Sequence, residues 1–129
     1  MDSSKIENKI ATSILDQAFK IHTELGPGLL ESVYEKCLQY ELIQAGHTAE
    51  TQVPVPMNYK IVRFDAGFRI DLLVDKKVLV EIKAIENLAP VHFAQTLTYL
   101  KMRDLKLGLL INFNNKYLKD GIHRIVNKL

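Results

Sequence analysis

The stretch "GFRIDLLVDKKVLVEIKA", Gly67 to Ala84, decides the fold, because apolar residues alternate on both sides of a short charged break. Phe68, Ile70, Leu72 and Val74 fall at every second position, as do Val78, Val80, Ile82 and Ala84. This is the period of two β-strands, each with one apolar face. Asp75, Lys76 and Lys77 between them read as a hairpin turn. With a three-residue loop, Val74 faces Val78, Asp71 stands opposite Glu81, and Arg69 stands opposite Lys83. A two-residue loop would set Asp71 against Ile82 and mix the faces, so the alternation selects the first register.

That register has an electrostatic consequence. Directly opposed Cβ atoms lie about 4.5–5.5 Å apart, where two carboxylates repel. One resolution is a divalent cation between Asp71 and Glu81, since hard ions such as Mg²⁺ take oxygen ligands. Lys83, one step along, could then stabilise charge developing on a phosphate or orient an attacking water. The other resolution is an ordinary solvent-facing strand on which Arg69 and Lys83 neutralise the acids. Spacing leaves both open.

Upstream, Ser4 and Glu7 have capping-box spacing, and Ile6, Ile10, Ile14, Ala18, Ile21 and Leu25 recur at helical intervals, predicting a helix over about 5–24. Gly26, Pro27 and Gly28 stop it. A second helix carries Leu30, Val33, Tyr34, Cys37, Leu38, Leu42 and Ala45 and ends at Gly46, so two helices form an opening hairpin. With Gly28 as N-cap, Glu31 is N3, where its carboxylate can reach back to a free N–H at the positive end of the helix dipole. Glu31, Tyr34 and Leu38 are also spaced by three and four, which points the acid along the edge of the core-facing stripe. Val53, Val55 and Met57 then alternate with Pro54 and Pro56, as an edge strand or extended lead-in does.

Downstream, Pro90 suits the first turn of a third helix reaching about Arg103, with Phe93, Leu97 and Leu100 as its apolar stripe. His92, Gln95 and Tyr99 lie roughly opposite, either as plain surface or as the border of a cleft. "LGLLINF", 107–113, reads as a strand buried on both faces. Ile122, Ile125 and Val126 suggest a short closing helix. The predicted order, ααβββαβα, is a mixed α/β layer structure.

The length of 129 residues fits one domain with a sizeable core. A net charge of +2 permits a nucleic-acid partner without arguing for one, although Lys101, Arg103, Lys106, Lys116, Lys119, Arg124 and Lys128 thicken the positive charge late in the chain. The single cysteine, Cys37, excludes an internal disulfide and a cysteine-rich zinc site. The start lacks a basic, apolar leader and no apolar run is long enough to cross a bilayer, so a cytoplasmic protein without membrane attachment is expected.

Asp71 and "EIK", Glu81 to Lys83, on adjacent strands resemble the metal site of the PD-(D/E)XK nuclease superfamily. In "HTELGPGLLESVYE", His22, Gly26, Gly28, Glu31 and Tyr34 resemble the signature of the GxxExxY family, a group assigned to that superfamily. "QTLTY", Gln95 to Tyr99, is similar to the Q-x-x-x-Y helix motif of RecB-like members. The likeness runs from about His22 to Phe113; Ile70 departs from it, standing where the name-giving motif has proline. It implies a restriction-endonuclease-like αβββαβ core with an additional N-terminal helix and a short C-terminal helix.

The resemblance further implies a Mg²⁺- or Mn²⁺-dependent nuclease that hydrolyses phosphodiester bonds of DNA by metal-activated water, with RNA left open as substrate. Glu31, Asp71, Glu81 and the Ile82 carbonyl would be metal ligands, and Asp71, Glu81, Lys83 and Gln95 the catalytic set. Tyr34, Arg69 and Tyr99 would bind nucleic acid or support the site. His22 and His92 are read as structural, because three carboxyl groups describe an oxygen-rich site rather than a zinc site. A homodimer would suit cutting both strands, although no motif specifies an interface. The alternative is a nucleic-acid-binding or partner-binding module that keeps the fold without turnover.

Overall fold

The computed structural model describes the backbone of residues 4–129 and side chains from 6 onward. Two helices, α1 (Ser4–Leu25) and α2 (Glu31–Gln44), precede strands β1 (Ala49–Tyr59), β2 (Val62–Val74) and β3 (Val78–Lys83). Helix α3 (Pro90–Arg103) crosses to β4 (Leu107–Asn112), and a 3₁₀ turn (Leu118–Gly121) leads into β5 (Ile122–Val126). The five strands lie in sequence order; β3 and β4 are parallel and every other pair is antiparallel. The parallel pair is the one bridged by a helix, as a crossover requires.

Helices cover both faces of the sheet. Ile10, Ile14, Ala18 and Ile21 of α1 and Tyr34, Leu38 and Leu42 of α2 pack with Leu72, Val74, Val78, Val80 and Ile82. Leu100 of α3 packs on the other side with Val55, Ile70, Leu73 and Leu79. All six residues of β4 are buried, which its unbroken apolar run anticipates. Gly108 lets α3 approach, since a Cβ there would lie 3.1 Å from Leu79 and 3.3 Å from Thr96.

Several expectations change. The expected closing helix is strand β5, whose Ile122 and Ile125 pair with Ile111 and Gly108. The free edge of β4 offers backbone partners that five apolar-polar residues can use as a strand. Leu30, Val33 and Ala45 are exposed rather than core. The Ser4 side chain of the proposed capping box lies outside the described residues.

The hairpin register holds: Val74 pairs with Val78, Leu73 with Leu79 and Leu72 with Val80. The turn places both Asp75 and Lys76 at positive φ, as a type I′ turn does, and the Lys77 N–H donates to the Val74 carbonyl. Asp75 is bound in that conformation on the far side. Its carboxylate accepts the Thr48 N–H at 2.9 Å and faces His47 Nδ1 at 2.6 Å, while His47 Nε2 lies 2.8 Å from Ser13 Oγ. The chain Ser13–His47–Asp75 thereby ties α1 to the α2–β1 turn and the β2–β3 turn.

Beyond Leu72 and Val80 the β2–β3 ladder stops, while β3 stays paired to β4 as far as Lys83 and Asn112. Arg69 pairs with Pro54 of β1 and does not face Lys83 in the ladder. The apolar face of β2 is also not continuous: Ile70 and Phe68 pack with α3, whereas Leu72 and Val74 pack with α1 and α2. The break in alternation falls at Asp71, level with Gln52 of β1, whose φ is +52°.

Tyr34 fixes the entry to α2. It is fully buried and stacked on Phe113 with centroids 4.5 Å apart. Its hydroxyl donates to the Gly26 carbonyl at 2.6 Å and accepts the Leu29 N–H at 3.2 Å, closing the Gly-Pro-Gly turn in which Gly28 has φ +97°. Tyr34→Phe keeps the stack and removes both bonds. We expect it to cost about 1–2 kcal/mol of stability in urea denaturation, against roughly 3–5 kcal/mol for Tyr34→Ala.

Candidate active site

Where β2 leaves β3, carboxylates replace carbonyls as hydrogen-bond acceptors. Glu81 Oε2 accepts the Asp71 N–H at 2.9 Å, and Asp71 Oδ2 accepts the Ile82 N–H at 2.8 Å. The two acids therefore hold each other's strand across the gap. Above them, Glu31 Oε2 accepts the Ala84 N–H at 3.1 Å, just past the end of β3. Glu31 is the first residue of α2, with Leu30 as N-cap, so it is N1 and not the N3 of a capping box. Its carboxylate is aimed at the β3 terminus instead of its own helix.

A cleft of about 240 Å³ opens between α2 and the strands, lined by Glu31, Ser32, Glu35, Gln52, Asp71 and Ile82. Glu35 and Gln52 are not among the residues expected from sequence. Gln52 Nε2 donates to Glu35 Oε1 at 2.7 Å and lies 3.4 Å from Asp71 Oδ1, joining two acids from different elements. A signal for Glu35 existed: it follows Glu31 by four residues, and like charges at that spacing share a helix face and repel. Nothing in the sequence marks Gln52, whose role comes from its left-handed backbone.

The local field is strongly negative. Glu81 is only 6% exposed. Burial first, then the Asp71 charge, pushes its pKa up to about 9, against the opposing pull of the Asp71 N–H and of Lys83. Glu35 is raised as well, by burial and then by Asp71 and Glu31, with the Gln52 bond opposing. Neither Arg69 nor Lys83 forms an ion pair with Asp71 or Glu81 among the described residues, so the acids are not neutralised as surface salt bridges. Burying a charge without a paired partner is costly, which leaves a proton or an added cation to compensate.

The remaining expected residues occupy two surroundings. Lys83 is half-buried at the end of β3, and its carbonyl accepts the Phe113 N–H at 2.8 Å. Tyr99 of α3 stacks on Phe68 of β2, centroids 4.2 Å apart. Its phenol is shifted up by burial and then by the Glu81 and Asp71 charges, which puts it within their field. Gln95, one turn earlier, is exposed and its side chain makes no hydrogen bond among the described residues, and Arg69 is exposed on β2. Tyr34 is buried behind the Gly-Pro-Gly turn and supports α2 without reaching the cleft. His22 Nε2 lies 2.8 Å from the Asn115 carbonyl oxygen, and His92 Nδ1 accepts the Ala89 N–H at the start of α3, so both histidines hold structure.

A sequence model of the PD-(D/E)XK nuclease superfamily matches residues 8–125. The chain belongs to that superfamily. No curated protein and no solved structure matches it. The matched span includes every acid of the cleft.

Nucleases of this superfamily typically use a divalent metal. Among the described residues no three acidic, histidine or cysteine side chains converge closely enough to enclose an ion. The donor chemistry nevertheless fits a hard divalent cation. All candidate ligands are oxygens, and Glu31 and Glu81 each keep a second carboxylate oxygen outside the backbone bonds. The uncompensated charge around Glu81 is what such an ion would relieve.

The raised Glu81 pKa has a stability consequence. The folded state holds a proton that the unfolded chain releases near pH 4.5, so between there and about pH 9 the metal-free protein loses stability as pH rises. Glu81→Gln keeps an acceptor for the Asp71 N–H and removes the titration. Thermal melts in EDTA should show wild type declining from pH 5 to 9. The variant should be flatter and, at pH 8, more stable by on the order of 1 kcal/mol or more.

Proposed function

We propose that this protein is a divalent-metal-dependent nuclease of the GxxExxY type, acting on phosphodiester bonds of DNA from a restriction-endonuclease-like core. The observation that carries the reading is the pairing of Asp71 and Glu81 across the parting strands, with Lys83 next on β3 and Glu31 held at its end. Superfamily membership supports it. Asp71, Glu81, Glu31 and the Ile82 carbonyl would hold Mg²⁺ or Mn²⁺. When bound, the ion supplies Lewis-acid polarisation of the phosphate and acidifies water.

The chain's own groups do the rest. In hydrolysis a water oxygen bonds to phosphorus, the bond to the leaving sugar oxygen breaks, and a proton ends on that oxygen. Lys83 stabilises the negative charge that builds on the non-bridging oxygens. Gln95 and Tyr99 border the reaction from α3, and Arg69 takes a neighbouring phosphate from β2. Among the described residues no helix is long and apolar enough to cross a membrane; the cytoplasm is the proposed place of action. A homodimer would let two such sites cut opposite strands.

A second reading has its own support: each acid already has a backbone N–H partner, as in a site that binds without turning over. A non-catalytic nucleic-acid-binding or partner-binding module would bind its ligand without metal and after Glu81→Ala. Cleavage of labelled single-stranded, duplex and branched DNA in Mg²⁺, Mn²⁺ or EDTA separates the two. The nuclease reading expects metal-dependent products that vanish in Glu81→Ala and fall roughly 10²–10³-fold in Lys83→Ala. Folded wild type that cleaves nothing under any condition would leave the binding module.

A further inference from the structure

Strands β1 and β2 continue outward past the point where β3 leaves them, as a two-stranded ribbon closed by a turn at Lys60 and Ile61. Such a ribbon is marginal by itself in water, and large apolar side chains on it call for an explanation. Ile61 at the tip is 99% exposed, Tyr59 62%, Val62 48% and Phe64 44%. The side chains follow an order. Phe68 pairs with Val55 at the inner end; beyond the irregularity Phe64 pairs with Met57 and Val62 with Tyr59, so Met57, Phe64 and Tyr59 share one face of the outer ribbon. An irregularity between Val55 and Met57 lets Met57 lie over Gly67, where a Cβ would collide with its side chain at 2.3 Å. The inner end of the row is the Phe68–Tyr99 stack, whose phenol lies within the field of the Glu81 and Asp71 charges.

We infer that this row, from Tyr99 through Phe68 and Phe64 to Tyr59, is a stacking track that carries a single-stranded nucleic acid to the carboxylate site. Every base has a π-face, so rings spaced along a strand hold unpaired bases with little regard to sequence. Duplex bases are already stacked on one another and offer no such faces. A cation accompanies the rings at the tip, where Lys60 has its ammonium 5.4 Å from the Tyr59 ring; Arg63 and Arg69 alternate with Phe64 and Phe68 along β2 and face the other side of the ribbon. Asp65 is the ribbon's acid, and its 3.7 Å contact with Arg63 is fully in solvent, where such pairs contribute little.

A second copy of the chain is the competing occupant, and the ribbon argues against strand addition by it. β1 is an edge strand that carries Pro54 and Pro56. Proline is tolerated in an edge strand where its missing N–H would have faced outward, so both remove donors that an added strand would need.

The inference rests on the nuclease reading for its destination, and its test does not depend on cleavage. Binding of a labelled oligothymidylate and of a labelled blunt duplex is measured in EDTA by fluorescence anisotropy. The proteins are wild type, Phe64→Ala, Phe64→Leu and Tyr59→Ala, with sedimentation velocity on each. These side chains are exposed, so the variants should keep the wild-type circular dichroism. Expected are single-strand binding at least tenfold tighter than duplex binding, and a loss of roughly tenfold per ring. Phe64→Leu should lose as Phe64→Ala does, because apolar character without a ring does not stack. Wild-type affinity in all three variants, a preference for duplex, or no binding to either would overturn it. So would a wild-type dimer that Phe64→Ala splits with single-strand affinity unchanged. Ridge variants that bind weakly beside a wild type that cleaves nothing would sink only the nuclease reading; unchanged ridge variants beside an active wild type would sink only the track.

Discussion

Where two antiparallel strands part, the backbone groups that faced each other need new partners, and here carboxylates supply them. Asp71 and Glu81 each accept an N–H from the opposite strand, so the end of the β2–β3 ladder is stitched by acids and not by carbonyls. The separation of β2 from β3, the change of face along β2 and the cleft beneath α2 all meet at this exchange. It also sets two carboxyl groups against each other with no ion-pairing cation among the described residues, so burial and the Asp71 charge favour a proton on Glu81. The fold thus stabilises its backbone there at the expense of its electrostatics.

The rest of the molecule constrains that point from several directions. β3 remains locked to β4, so it cannot follow β2 as it turns away. The buried Tyr34–Phe113 stack and the Gly-Pro-Gly turn fix the start of α2, which delivers Glu31 to the end of β3 and Glu35 to the cleft wall. Gln52, in a left-handed conformation, bridges Glu35 towards Asp71. Four carboxylates from three elements therefore border one small region. Acids at this density repel, so the arrangement costs stability, and the proposed cation is what would offset that cost.

Much of this is legible in the amino-acid sequence. Alternation on both sides of Asp75–Lys77 gave the register that brings Asp71 to Glu81, because a one-residue slip would bury charge and expose valine. Pro90 and the apolar run at 107–112 gave α3 and a doubly covered β4. What escaped was non-local. Alternation cannot reveal that β2 changes face at Asp71, since the break depends on the backbone of Gln52 in a neighbouring strand. The C-terminal strand read as a helix because Ile122, Ile125 and Val126 satisfy a helical spacing, and only the open edge of β4 selects the extended form. Glu31 is N1 where the sequence predicts N3, two positions away, because Gly28 looks like a cap while the helix starts after Leu30.

If, as proposed, a cation binds where Asp71 and Glu81 exchange backbone bonds, it must displace the proton that burial favours on Glu81. Titration calorimetry with Mn²⁺ at pH 7, in two buffers of different ionisation enthalpy, tests this most directly. Binding that releases about one proton per ion, and that disappears in Glu81→Gln, is the predicted result. Absence of binding, or binding that releases no proton and survives the substitution, would contradict it.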